Sequence, residues 1–162
     1  MNLTMSLNRS ATHNTFVIER TYPTTPERVF AAFADPVKKR RWYAGVETRN
    51  VEKFEMDFRV GGREHSSYRM NESSRFPGMA LSNDTTYLDI LPNRRIVIAY
   101  TMTLGDKRIS ASLGTFEFLT RDNGTDLIFT DQAAYFEGSD GAKMREGGWQ
   151  RLLERLASEL ES

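Results

Sequence analysis

Cysteine is absent from this chain of 162 residues. That excludes a disulfide framework, a thiolate metal site and a cysteine nucleophile, and it fits a reducing compartment. Histidine occurs only at His13 and His65, too sparse for a zinc site built on imidazoles, so no metal is expected. Neither sign of charge is in excess: Lys plus Arg number 22, and so do Asp plus Glu. A balanced chain has no overall attraction to nucleic acid, and no nucleic-acid partner is expected. No apolar run approaches the roughly 20 residues a membrane span requires. Met1–His13 lacks the continuous apolar stretch of a secretory signal. Neither the Gly-x-Gly-x-x-Gly nor the Walker phosphate-loop pattern occurs, and there is no Gly-x-Ser-x-Gly elbow. The expectation is a cytoplasmic protein without a cofactor.

What is present suffices for one core. Hydrophobic residues make up 39% of the chain, enough at this length to bury a core without staples. Residues 1–13 read as a flexible tail and 14–162 as a single domain. Asn14–Tyr22 is β-rich and stops at Pro23. Thr25-Pro26-Glu27 is a helix start, with Val29, Phe30 and Phe33 as its apolar face. Asp35-Pro36 repeats the device for a second short helix, running to about Trp42 and ended by Gly45. The period then changes to two: Phe54, Met56 and Phe58 alternate with charged residues. Gly61-Gly62 turns this strand into Arg63–Met70. Asn71–Asn83, polar with Pro77-Gly78, reads mostly as loop, with a short strand as the alternative. Strands follow at Thr85–Leu91, Arg94–Leu104, Lys107–Thr120 and Thr125–Phe136, linked by turn signals at Pro92-Asn93, Gly105-Asp106 and Asn123-Gly124. Ser139 or Asp140 is the candidate cap of a final helix. Its apolar stripe, Trp149, Leu152, Leu153, Leu156 and Leu160, recurs at steps of three and four. Gly147-Gly148 interrupts the early turns, either for close backbone packing or as a sign of a later start. The order predicts an α+β domain in which an antiparallel sheet is covered by the C-terminal helix.

Several stretches together resemble the helix-grip superfamily of START-like, birch-pollen-allergen-like proteins. They are Pro26-Glu27-Arg28-Val29-Phe30, Asp57-Phe58-Arg59-Val60-Gly61-Gly62-Arg63-Glu64, Tyr87-Leu88-Asp89-Ile90-Leu91-Pro92, Thr130-Asp131-Gln132 and the helix from Gly148 to Leu160. Within that superfamily the chain is similar to the bacterial homologues of the activator of heat-shock-protein ATPase, also called polyketide-cyclase-like. The resemblance implies a curved sheet of six to seven strands gripping one long helix, two short helices after strand one, and an internal cavity. Its members share a fold and a cavity, not one activity.

Candidate ligand-binding residues are those at the expected helix–sheet interface: Phe33, Trp42, Tyr68, Tyr87, Tyr100, Met102, Trp149 and Leu153. Aromatic rings offer apolar area, and Tyr and Trp add a polar handle. On Arg63–Met70, alternation sets Glu64, Ser66 and Tyr68 on the face opposite Arg63 and His65. Glu64 and Ser66 join the candidate site, and Glu64 is the candidate for any acid–base role, because a carboxylate facing an apolar cavity can exchange protons near neutral pH. The plainer alternative is a Glu paired with a neighbouring Arg or facing water. Tyr87 and Asp89 read as sharing one face, as do Ser110 and Ser112, the serines bonding locally. Lys38-Lys39-Arg40-Arg41 reads as a solvated face complementing a helix dipole, with contact to an anionic ligand head or partner as the alternative. Asp131, Glu137 and Asp140 read as caps and exposed carboxylates.

The leading function is binding of a hydrophobic or aromatic small molecule, with an entrance near Asn71–Asn83. The alternatives are a cyclase-, dehydratase- or hydrolase-like enzyme in the same cavity, and a chaperone partner. The last ranks lowest, since the resemblance gives the eukaryotic activators a further N-terminal domain for which this length leaves no room. The pattern is also compatible with a homodimer through a sheet edge or helix face.

Overall fold

The computed structural model describes residues 9–162. Its elements are β1 (Thr12–Tyr22), α1 (Pro26–Ala34), α2 (Pro36–Lys39) continuing as a wide π turn (Arg40–Ala44), β2 (Arg49–Met56), β3 (Arg63–Met70), β4 (Ala80–Leu91), β5 (Arg95–Leu104), β6 (Lys107–Arg121), β7 (Gly124–Tyr135) and α3 (Ala142–Leu160). The seven strands form one sheet in the order β1-β7-β6-β5-β4-β3-β2, with every neighbouring pair antiparallel. This is the α+β helix-grip architecture expected from the sequence. Most of the expected N-terminal tail, residues 1–8, lies outside the described residues; β1 begins at Thr12, which pairs with Tyr135. Among the described residues no helix is long and apolar enough to cross a membrane.

The two short helices start as their caps dictate. Thr25 Oγ1 accepts from the Arg28 amide at 3.3 Å, and Asp35 Oδ1 accepts from the Val37 amide at 2.9 Å, each cap preceding a Pro. Beyond Lys39 the helix widens, and the Gly45 amide reaches back to Arg40 O. Arg155 of α3 holds that widened end, donating to the carbonyls of Arg41, Trp42 and Gly45 at 2.8, 3.0 and 2.8 Å.

One local reading left open is decided and three are corrected. The loop after β3 ends at residue 79, because Ala80–Asp84 pairs with β3 on one side and β5 on the other; ladder partners on both edges override a polar composition. The last hairpin turns at Asp122-Asn123, and Gly124 begins β7. A Cβ at Gly124 would lie 2.6 Å from Tyr22 O, so glycine is needed there for strand approach rather than for the turn. A bulge between Tyr87 and Asp89 puts Tyr87 inward and sends Asp89 outward to Arg95. Helix α3 begins after Gly141 with no side-chain cap; Asp140 instead turns to Arg145.

The core lies between the sheet's inner face and the helices. Phe116 stacks on Phe129 at 4.3 Å and 9°, and Phe33 and Trp149 close on the pair from α1 and α3. Leu153 and Leu156 continue the α3 stripe, fully buried. Gly147 and Gly148 do not serve close packing. A Cβ at either would meet only Arg151 nitrogens, at 3.7 and 3.9 Å. Both lie inside α3, so neither marks a later start. Gly147→Ala and Gly148→Ala are each expected to raise stability by about 1 kcal/mol in urea unfolding; a loss in either variant would show that the backbone there is not helical in solution.

Candidate functional site

Three side chains from distant segments meet under α2. Alternation on β3 turns Glu64, Ser66 and Tyr68 inward, and all three are buried. Lys39 shares a helix face with Trp42 and Tyr43, at i+3 and i+4, so it points toward the sheet with those rings. Its ammonium lies 2.9 Å from Glu64 Oε1 and 4.7, 5.8 and 5.9 Å from the ring centres of Tyr43, Trp42 and Phe33. The Tyr87 hydroxyl donates to the same carboxylate oxygen at 2.5 Å. Burial, reinforced by the Glu64 charge, raises the Tyr87 phenol far above its usual range, so it remains a proton donor. Burial likewise raises Tyr43.

These groups form one wall of a chamber. Phe33, Trp42, Tyr43, Phe116 and Trp149 supply its aromatic side, Ile96 and Ile98 its floor, and Thr85 and Tyr100 further polar atoms. Phe58, beyond the end of β2, packs edge-on against Tyr87 and Phe30 beside it. The chamber with its mouth encloses about 400 Å³, but the rings close in until about 10 Å³ remains at the centre, room for roughly one water. The sequence led to an expectation of a roomier apolar pocket. Its own aromatic side chains fill most of it, and anything larger than water requires them to move.

A second polar set lies beside the chamber. Arg145 on the first turns of α3 is buried. Its Nε and Nη2 grip both oxygens of Asp140 at 2.9 Å, and Nη2 also donates to Ser110 Oγ at 2.8 Å. Asp131 on β7 is fully buried; its Oδ2 accepts from the Tyr100 hydroxyl at 3.1 Å, and that hydroxyl accepts from the Trp149 indole at 3.2 Å. Burial pushes the Asp131 carboxyl up to about 6, against the opposing pull of Tyr100 and Arg145. Burial also lifts Tyr135 to about 12.

Among the described residues, several buried polar atoms on the inner face have no hydrogen-bond partner, namely Asn83 Oδ1, Asp131 Oδ1, Tyr135 OH and Arg145 Nη1, while Ser66 with Tyr68 and Ser112 with Tyr100 are neighbours that pair only loosely. Asn83, Met102, Ser110 and Tyr135 lie in one cross-strand row over β4–β7. Asn83 connects that row to the chamber through Tyr43, at 3.4 Å.

Of the residues singled out from sequence, Phe33, Trp42, Glu64, Tyr87, Tyr100 and Trp149 line the chamber. Ser66 and Tyr68 are buried farther along β3, where Tyr68 lies under the Arg49 guanidinium at 3.9 Å. Met102 is half-buried, its sulfur 3.4 Å from Arg145. Leu153 belongs to the core, its carbonyl accepting from the Tyr22 hydroxyl at 2.8 Å. Glu64 does form an ion pair, but with Lys39 rather than an arginine, and buried rather than wet. Lys39 therefore leaves the solvated basic face to which its neighbours Arg40 and Arg41 belong. Ser110 bonds across 35 residues to Arg145, not locally. Asp131 is neither cap nor surface carboxylate. Sequence reasoning overlooked Arg145 altogether; it occupies the position one turn before Trp149 on the inward stripe, a signal masked by its charge. His65 pairs with Asp84 at 2.7 Å on the outer face. The open depression of about 970 Å³ there holds Lys53 with Glu55 and Arg59 with Asp57, charges that largely cancel.

Residues 23–161 match the family model described as "Activator of Hsp90 ATPase homolog 1-like protein". Among solved structures, the chain is similar to a protein from Rhizobium leguminosarum at 38% identity, over 94% of this chain and 97% of that one, with a TM-score of 0.87. It is also similar to the Mll3558 protein from Rhizobium loti at 45% identity, over 93% and 99%, with a TM-score of 0.83. An AHSA1-like protein from Aeromonas hydrophila shares the fold at 20% identity, over 91% and 92%, with a TM-score of 0.68. No curated protein matches the chain.

Proposed function

The chain belongs to the Activator of Hsp90 ATPase homolog 1-like family, and from that premise we propose that it binds a small molecule with an apolar or aromatic body between the sheet and α3. The observation that carries this reading is the clustering of unpartnered buried polar atoms beside the aromatic chamber. Each such atom costs roughly 1–3 kcal/mol when left unpaired, and a core built only for stability would place apolar side chains there. The buried Lys39–Glu64 pair points the same way, since packed hydrophobic residues of similar volume are generally no less stabilising. A ligand that parts the rings would bury its body against Phe33, Phe116 and Trp149 and satisfy the polar atoms with its own. The Lys39, Glu64 and Tyr87 group would fix its orientation.

Native mass spectrometry of freshly purified protein, followed by denaturing extraction, tests this reading together with titration of an environment-sensitive apolar dye. A stoichiometric small molecule, or saturable one-to-one dye binding abolished by filling the chamber with Thr85→Trp, is the expected result. Failure of both to appear in a folded protein would overturn it.

An enzymatic reading of cyclase, dehydratase or hydrolase type draws on one observation, that Glu64 and Tyr100 share the chamber wall. A proton acceptor and a proton donor on one wall are the minimum for acid–base chemistry on a bound molecule.

A further inference from the structure

The polar set around Arg145 constrains what kind of molecule the interior can take. Arg145 is buried, and its charge is already matched by Asp140 through two hydrogen bonds. What it lacks is a partner for Nη1. The guanidinium lies 5.3 Å from the Tyr135 ring, and the Tyr135 hydroxyl is likewise unpartnered. Asp131 contributes a free Oδ1, its other oxygen being held by Tyr100. The set is continuous with the aromatic chamber. Tyr100 lines the chamber and bonds Asp131, and Trp149 lines it one helical turn beyond Arg145.

The charges nearby decide the sign of an incoming group. Both buried cations are already neutralised, Lys39 by Glu64 and Arg145 by Asp140. Asp131 has no cation bonded to it. A carboxylate or phosphate entering here would be a further buried negative charge with both cations beside it already paired, the unpaired Arg49 standing over Tyr68 toward the other end of β3, and that is heavily disfavoured. An ammonium would offer no acceptor to Arg145 Nη1 or Tyr135. An uncharged oxygen meets all the requirements: its lone pairs accept from Nη1 and Tyr135, and a hydroxyl proton can be donated to Asp131.

We propose that Arg145, Tyr135 and Asp131 hold the polar head of the ligand whose apolar body enters the chamber, and that this head is an uncharged hydroxyl; this rests on the binding reading above.

Three probes with one aromatic body separate the possibilities: naphthalene, 2-naphthol and 2-naphthoate, titrated at neutral pH against the full chain while following the Trp149 indole resonance. The expected order is 2-naphthol tighter than naphthalene by roughly ten-fold, the worth of about one buried hydrogen bond, with 2-naphthoate weaker than both. Tyr135→Phe keeps the ring and removes only the hydroxyl, and Asp131→Asn removes the charge and puts an NH2 donor in place of the free carboxylate oxygen. Tyr135→Phe should erase most of the preference for 2-naphthol while leaving naphthalene affinity unchanged. Asp131→Asn should bring 2-naphthoate closer to naphthalene. If naphthalene binds but 2-naphthoate matches or exceeds 2-naphthol, or Tyr135→Phe leaves the preference intact, the head-group assignment is overturned and the chamber reading survives. If none of the three binds a folded protein, the chamber reading fails and takes the assignment with it.

Discussion

Lys39→Met is expected to lower the unfolding free energy by roughly 3–5 kcal/mol, the usual consequence of leaving one member of a buried ion pair alone. The Glu64 carboxylate would keep only the Tyr87 hydroxyl as a donor, in a setting where its side chain is 3% exposed. The cation's contacts with the rings of Phe33, Trp42 and Tyr43 would go as well. The double variant Lys39→Met/Glu64→Leu should recover the lost stability or exceed it, because removing both charges also removes their desolvation cost. Urea unfolding of the two singles and the double forms a complete cycle. A single variant as stable as the parent would mean that Lys39 reaches water in solution and that the pair is a surface contact. The double variant carries the functional test: it should fold normally yet bind apolar probes with altered affinity, because the polar wall of the chamber would be gone.

Asp131→Asn should flatten the pH dependence of stability between about pH 4 and 6. The folded carboxyl titrates at about 6, above its ordinary 3.8, chiefly because burial penalises the anion. A raised acid is favoured in its protonated form. Its stabilising contribution is therefore complete below about pH 4 and is lost as the pH rises through about 6. Two units of displacement correspond to about 3 kcal/mol. The parent should thus lose about that much across the window relative to Asp131→Asn, which can still accept from Tyr100 but has no charge to bury. Above pH 7 the variant is expected to be the more stable of the two. Parallel stability curves for the two proteins from pH 4 to 7 would show that Asp131 is not held in a dry site.

The elements that could be read from the chain were those whose signals are local. Thr25 and Asp35 with their prolines placed two helix starts correctly, and the alternation of Arg63–Met70 put Glu64, Ser66 and Tyr68 on the buried face. The stripe from Trp149 to Leu160 identified α3 as the element the sheet grips. The failures share a cause. Ala80–Asp84 is a strand because of its neighbours on both sides, and the Tyr87–Asp89 bulge is a shift of register between β4 and β5. Lys39, Asp131 and Arg145 have the composition of surface residues, and a charge carries no local mark of being buried. The signal that marks them is positional: each occupies a point on an otherwise inward-facing period, Lys39 before Trp42 and Tyr43, Asp131 between Phe129 and Ala133, Arg145 before Trp149.

By itself the sequence determined most of the strands and helices, which faces of them are apolar, and hence the layered fold, because hydrophobic period and capping chemistry act over a few residues. It also supplied most of the rings that line the chamber. Only the tertiary structure decided how far those rings close upon one another, which cation meets Glu64, and which polar atoms finish without partners. Those outcomes depend on distances between residues far apart in the chain: Lys39 meets Glu64 across 25 positions, and Arg145 meets Ser110 across 35. The energy of a buried charge or hydrogen bond is set by such encounters and by the exclusion of water around them, and neither exists until the sheet has folded around α3.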